Sequence, residues 1–327
     1  MGLKQLIVRR IIHAVPATIG ALTILFAVLQ LLSPVMRLSL FIQTPRDMRP
    51  ENIRSLIHEH GLDQPIPVQY VNWLSKVAVL DFGRSLSSGA PAMSLVLASL
   101  PATLELILYS APLIILLGVW LGTKAVLNHN KKLDHIARIV GTVGTSFPVF
   151  VIAEVLIAIF LAQFDFYPAS AGGLDYYVRY DLIHRIQNGT FNQYTQMTTI
   201  DALLNGDMPL FVDAIRHLVF PVGILVFTQT AALMKVTRAG LIEESGKMYF
   251  MFAMTKGLSK KETIHKHARK NTLISVLTIS GLLLGNMLTG LAIVETVFNI
   301  PGFAGLAAHS ARVLDTPVVF ASTTVVV

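Results

Sequence analysis

Apolar residues fall along this chain in long unbroken runs separated by polar and charged segments, unlike the short amphipathic stripes of a soluble domain. A helix needs about 20 apolar residues to cross a bilayer. Ile11–Leu32 supplies that length with His13 as its only ionisable side chain. Ala102–Gly122 does so around Glu105, and Ile139–Ala162 around Glu154. Leu218–Met234 is uncharged and extends back toward Phe211, and Thr272–Val294 carries no charge. A last apolar run opens at Val318 and reaches Val327, about 15 Å of helix against roughly 30 Å of hydrocarbon. The pattern predicts an all-α polytopic membrane protein with five complete spans and the start of a sixth, and a natural chain that continues past Val327. The first span has a basic start, but its body of about 22 residues exceeds the usual signal-peptide core and ends on bulky Gln30-Leu31-Leu32, so it is read as an uncleaved helix.

Three segments result. Residues 1–32 hold the N-terminal end and first span, and residues 33–100 a long polar segment with short helices. Residues 101–327 form the core, with helices at about 102–123, 139–163, 211–234, 272–295 and 318–327 onward, a loop at 165–210 and another at 235–270. Within 33–100, Pro50 opens a short helix over Glu51–His60 stopped by Gly61, Pro67 opens a second that carries Tyr70 and Trp73, and Pro91 opens a third up to Leu100. Pro112, Pro148 and Pro221 mark bends inside the spans.

Charge fixes the orientation. The chain has 327 residues, no cysteine, 14% charged residues, mean hydropathy +0.62 and net charge +7. The missing cysteine excludes a disulfide scaffold, a thiolate metal site and a cysteine nucleophile. The N-terminus, 124–138 and 235–270 together hold 16 of the 26 basic residues and four acids, net +12. The segments on the other side hold ten basic residues and twelve acids, net −2, and three glutamates lie in spans. Positive charge marks the cytoplasmic side, so the N-terminus is placed there. No basic stripe is interleaved with aromatics, which argues against a nucleic-acid partner.

The segment 235–270 carries the clearest local design. Val236–Ala253 reads as a helix, Gly257 breaks it, and Ser259 with Glu262 forms a capping-box pattern for the next. Between them lies Met248-Tyr249-Phe250-Met251-Phe252-Ala253-Met254, an apolar run too costly to leave in water, which points to a docking surface running on through Lys256, Gly257, Leu258 and Ser259. No phosphate-binding Gly-x-x-x-x-Gly-Lys-Ser/Thr loop occurs, so ATP chemistry is not this chain's own. There is neither a His-Glu-x-x-His motif nor a pair of aspartates inside spans, which removes the intramembrane proteases. His58 and His60 lie on different faces of a short helix, and His265 and His267 lie among lysines, so no metal site is assigned. Intramembrane polar groups, Glu105, Glu154, Gln229, Asn286 and Glu295, are candidates for a translocation path or gate, with capping of neighbouring helices the alternative for Glu105 and Glu295 and contact with a partner subunit the alternative for Glu154. Gly281, Gly285 and Gly290 suit close packing beside such a path.

Several stretches match one family in order. They are Gly61-Leu62-Asp63-Gln64-Pro65, Asp81-Phe82-Gly83-Arg84-Ser85, Leu100-Pro101-Ala102-Thr103-Leu104-Glu105-Leu106, Ser146-Phe147-Pro148-Val149-Phe150 and Pro168-Ala169-Ser170. His217-Leu218-Val219-Phe220-Pro221, Lys256-Gly257-Leu258-Ser259, His267-Ala268-Arg269-Lys270-Asn271, Val294-Glu295-Thr296-Val297-Phe298 and Pro301-Gly302-Phe303 follow. Together they resemble the inner-membrane permease subunits of ABC importers of the dipeptide/oligopeptide/nickel type.

The resemblance implies a type I importer transmembrane domain of six helices in a prokaryotic inner membrane. It implies a second homologous permease, two ABC ATPases that bind ATP and magnesium, and an extracytoplasmic substrate-binding protein, with no cofactor held by this chain. Tyr70, Trp73, Asp81 and Arg84 would then face the binding protein, and the turn at Gly257 would couple to an ATPase. The family's acid and two arginines before that glycine are replaced here by Met248, Met251 and Met254. Glu154 stands where the family places an aliphatic residue. A peptide-like solute is the expected cargo. Oligosaccharide or a nickel chelate are the alternatives within the type, and a stand-alone secondary transporter is the alternative outside it.

Overall fold

The computed structural model describes residues 3–38, 50–164 and 174–326, and every regular element among them is helical. In chain order they are α1 (Leu3–Leu29), α2 (Pro34–Leu38), α3 (Pro50–Glu59), α4 (Ile66–Ala78), α5 (Ala92–Leu127), α6 (Lys132–Ser146), α7 (Val149–Phe164) and α8 (Tyr176–Gln187). There follow α9 (Thr198–Leu204), α10 (Met208–Ser245), α11 (Met248–Thr255), α12 (Lys260–Thr263), a π-helical turn (Ile264–Ala268), α13 (Arg269–Val297), α14 (Phe303–Arg312) and α15 (Thr316–Val326). The Pro168-Ala169-Ser170 stretch lies outside the described residues.

Three helices, α1, α5 and α10, are long and apolar enough to cross a membrane unaided. Two bent pairs reach the same length, α6 with α7 and the two arms of α12–α13, while α15 is a shorter apolar helix. The stretch expected as the third span forms two helices. Phe147 is forced into an extended conformation (φ −85°, ψ 133°) by Pro148, and α7 departs from α6 at 100°. Pro112 and Pro221 lie inside α5 and α10, which continue through them. Two expected boundaries change. The short helix opened by Pro91 is continuous with the second expected span as α5, which runs on through Pro101. The helix expected over Val236–Ala253 is divided at Gly246-Lys247, where α10 ends and α11 begins.

The chain forms two compact units. In Pro101–Gly305, α10 packs on α6, α7 and α13 around a core that includes Leu106, Leu225, Leu233, Leu291 and Phe298. Segment 174–214 carries a small core of its own, built on Leu182, Phe191, Ala202 and Leu210. The long helices also present large bare apolar side chains, Leu116 at 66% and Ile274 at 70% exposure. Such faces suit lipid or another apolar helix rather than water. In the other unit, Met1–Leu100 with Leu306–Val327, α1 packs on α15. An aromatic cluster of Phe26, Tyr70, Trp73 and Phe320 joins α1, α4 and α15, with ring centroids 5.0–6.0 Å apart.

Close packing uses other glycines than those predicted. A Cβ at Gly281, Gly285 or Gly290 would meet nothing within 4 Å, whereas α5 and α6 approach α10 through Gly118, Gly122, Gly141 and Gly144.

Candidate functional site

The docking run folds as α11 and divides its residues between two environments. Phe250 points inward, onto a cluster with Val126, Leu241, Ile264 and Ala268, and Ala253 is buried. Met248 (86% exposed), Met251 (62%) and Phe252 (61%) point outward, with Met254 and Tyr249 at the margins. A one-turn periodicity thus turns a uniformly apolar sequence into an anchor and a free face. Gly257 follows with φ +92°, a left-handed conformation that glycine adopts without strain. Leu258 is half-buried, and Ser259 closes a reciprocal capping box with Glu262. The Lys256 ammonium lies 4.6 Å from the centroid of the Phe252 ring.

Polar clamps hold this turn in place. The Glu244 carboxylate accepts from Lys247 Nζ at 2.5 Å, from the Tyr249 hydroxyl and from Asn271 Nδ2 at 3.3 Å. The Lys247 ammonium, with help from Tyr249, keeps that carboxyl below its ordinary value. Nearer the core, Arg238 donates through Nε at 2.7 Å and Nη2 at 3.1 Å to buried Asp134, which also accepts from Asn130 N at 3.1 Å. Asp134 precedes the apolar stretch 139–163, and the Arg238 guanidinium holds its carboxyl down to about 2.

The intramembrane polar residues do not converge. Glu105 Oε1 accepts from Thr199 N at 2.7 Å and Thr199 Oγ1 at 2.5 Å, which caps the N-terminus of α9 from a distant helix. Glu295 Oε1 accepts from Thr103 Oγ1 at 2.5 Å, and its Oε2 accepts from Gly305 N at 2.6 Å in the first turn of α14. Thr103 Oγ1 in turn accepts from Phe303 N at 2.7 Å. A Cβ at Gly302 would strike the Glu295 carboxylate, so that position must stay bare. Both glutamates are thus committed to helix ends. Glu154 is exposed on α7, on one face with Val155, Ala158 and Ile159, and Gln229 is half-buried in α10. Asn286 lies on α13, and its side chain is outside the described residues.

Among the residues assigned to an outer docking surface, Tyr70 and Trp73 turn their rings into the aromatic cluster, and the Tyr70 and Thr23 hydroxyls are 2.8 Å apart. Asp81 and Arg84 are exposed; Asp81 accepts from Gly83 N at 3.0 Å and Arg84 donates to Gly89 O at 3.0 Å.

Three features escaped the sequence reading. Buried Asp315 accepts from Ser85 Oγ at 2.6 Å, Ser87 Oγ at 2.8 Å, and the amides of Leu86 and Ser87 at 3.1 and 3.2 Å, pinning the 85–87 turn to the start of α15. An acid directly before Thr316-Pro317 and an apolar run was the available signal, since that is where a helix cap falls. Asp175, Asp213 and His217 bring one ligand atom each to within 4.8 Å of one another, a trio able to hold a divalent ion. Arg37 is buried with amide partners alone among the described residues. No sequence signal distinguishes it from a surface arginine.

Comparison with known proteins supplies independent findings. Residues 114–327 match the model of the "Binding-protein-dependent transport system inner membrane component" family, and residues 3–117 match that of its N-terminal region. The chain is 30% identical to the di/tripeptide transport system permease protein DppB of Pseudomonas aeruginosa over 96% of its own length and 89% of that protein. It is 28% identical to the dipeptide transport system permease protein DppB of Escherichia coli (96% and 90% covered). It is also 28% identical to the oligopeptide transport system permease protein AppB of Bacillus subtilis (98% and 91% covered).

Proposed function

This chain belongs to the family of binding-protein-dependent transport system inner-membrane components, and from that premise we propose that it is the permease subunit of an ATP-driven peptide importer. Its relatives are transport permeases for dipeptides, tripeptides and oligopeptides. The observation that carries the mechanism is the free face of α11. Met248, Met251 and Phe252 stand exposed on a turn anchored by Phe250, by Glu244 and by the Ser259 capping box. A rigid knob of this kind fits a groove on an ATPase, and methionine with phenylalanine supplies apolar contact where acid–arginine pairs would supply charge.

In this reading the N-terminus is cytoplasmic, as the charge asymmetry supports, and there are six membrane passages, the sixth entered through α15. A second permease completes the path, an outer binding protein delivers the peptide, and two ATPases bind ATP and magnesium. Closure of the ATPases moves α11, and its clamps carry the motion into α10 and α13, both packed against the coupling cluster or continuous with it. The cavity then alternates between outward and inward access. Glu154 sits on an exposed apolar face and meets the second permease, because a lone charge facing lipid costs about 2.5–3.5 kcal/mol on insertion scales. Gln229 and Asn286 are the candidates left to line the path.

Co-purification tests this. The chain is expected to bring down ATPase subunits, and reconstituted complex is expected to take up peptide only with ATP and binding protein. Peptide uptake by the chain alone refutes the reading.

A further inference from the structure

A charged side chain with no counter-ion among the described residues stands just past the end of α1. Arg37, on α2, keeps only 8% of its exposure. Its Nη1 donates to Gln30 Oε1 at 2.5 Å and to Gln69 Oε1 at 2.7 Å. Both acceptors are neutral amides. Gln69 is itself fixed by donating from Nε2 to Leu62 O at 3.2 Å and Gln64 O at 2.6 Å, which aims its oxygen at the guanidinium. Arg37 Nε is buried and has no acceptor among the described residues. Burial alone acts on its pKa, pulling it below the ordinary arginine value. A buried cation held only by neutral groups is costly, and proteins retain one where something anionic completes it.

The place for that anion is beside it. Arg37 lines a cavity of about 250 Å³ whose apolar wall includes Phe26, Leu29, Trp73 and Phe320. Lys76 and His60 add basic groups to the lining. Asp81 is the single acid among the described lining residues, and its carboxylate is engaged by Gly83 N at 3.0 Å. The depth identifies the source of the anion. The apolar stretch of α1 runs from Ile12 to Leu29, so Arg37 lies eight residues beyond the end of a membrane-crossing helix, at the level of lipid headgroups. Trp73, with its neighbour Tyr70, is the residue type that settles at that interface. Basic pockets between membrane helices take phosphorylated headgroups by pairing phosphate with guanidinium.

We infer that this cavity binds the phosphate of an anionic phospholipid. Arg37 Nε donates to a phosphate oxygen, Lys76 supplies the second positive charge, and an acyl chain lies along Phe26 and Leu29 of α1. The bound lipid completes the charge at the joint of α1, α4 and α15, and the site does not depend on what the protein transports.

Native mass spectrometry of the full chain, delipidated together with its co-purifying subunits, tests the inference. The sample is offered equimolar phosphatidylglycerol and phosphatidylcholine, and in a parallel arm phosphatidylglycerol with millimolar inorganic phosphate. Phosphatidylglycerol is expected to be retained over phosphatidylcholine. Lys76→Gln is expected to cut that preference about fivefold, and Arg37→Gln to abolish it. Lys76 is exposed, so its variant folds even if Arg37→Gln does not. Equal retention of the two lipids by the unmodified protein overturns the inference, as does an unchanged preference in Lys76→Gln. Displacement of lipid by inorganic phosphate overturns the lipid source and assigns the site to a soluble anion.

Discussion

Replacing Asp134 by alanine tests how α10, the helix that leads into the coupling turn, is tied to α6. Asp134 is fully buried, and its carboxylate takes two hydrogen bonds from Arg238 and one from Asn130 N. Its carboxyl titrates near 2 in the fold against 3.8 for the free side chain. That difference corresponds to about 2.4 kcal/mol at neutral pH. Removing one partner of a fully buried pair costs about 3–5 kcal/mol. Arg238 keeps 21% of its side-chain exposure and is partly rehydrated once bereft, which places the loss at the lower end. The expected destabilisation of Asp134→Ala is therefore about 3 kcal/mol. Asp134→Asn, which keeps an oxygen for Arg238 Nε, should lose roughly half as much. The sign with pH follows from the depressed carboxyl. The stabilisation is fully present above pH 4 and is lost as pH falls from about 4 through about 2. Denaturant unfolding in detergent, run as a double-mutant cycle with Arg238→Ala, reads the pair directly. A coupling energy below about 0.5 kcal/mol at pH 7.5, the value of an exposed pair, refutes the reading of Asp134 and Arg238 as a buried tie between α6 and α10.

Other outcomes follow from the same geometry. Phe252→Asp puts a charge on the exposed face of α11 and is expected to uncouple ATP hydrolysis from transport while leaving unfolding unchanged; normal transport by this variant removes the coupling role. Gly257→Ala meets no neighbour but forces alanine into φ +92°, costing about 1–3 kcal/mol of local strain, which hydrogen exchange across 255–262 should register as faster opening. Glu295→Ala strips two donors, buried Thr103 Oγ1 and half-buried Gly305 N, of their acceptor and should cost about 2–4 kcal/mol, readable as a lowered unfolding midpoint. Glu154→Leu should leave the unfolding of this chain unchanged and weaken its association with a second permease, measured by co-purification yield.

The local design was legible in the sequence because it rests on interactions a few residues long. Runs of about 20 apolar residues announced the membrane helices, Gly257 announced the turn, and the Ser259–Glu262 spacing announced the capping box that forms there. Pro148 announced a bend, though not that its steric demand on Phe147 would divide the stretch into two helices at 100°. The uniform run Met248–Met254 showed that something docks but not which atoms. That was decided when Phe250 found Ile264 and Leu241 and left Met248, Met251 and Phe252 outside.

The fates of the buried charges were decided only by the tertiary structure. Glu105 and Glu295 read equally as path groups or as caps of neighbouring helices, and only packing shows that Thr199, Thr103 and Gly305 are their donors. Arg37 read as one of ten outer basic residues, yet folding buries it against two glutamines. Helix formation and capping depend on neighbours within about four residues, so composition and spacing encode them. The partner of a buried charge is chosen by whichever distant segment packing brings within about 3 Å, and one dimension does not hold that information.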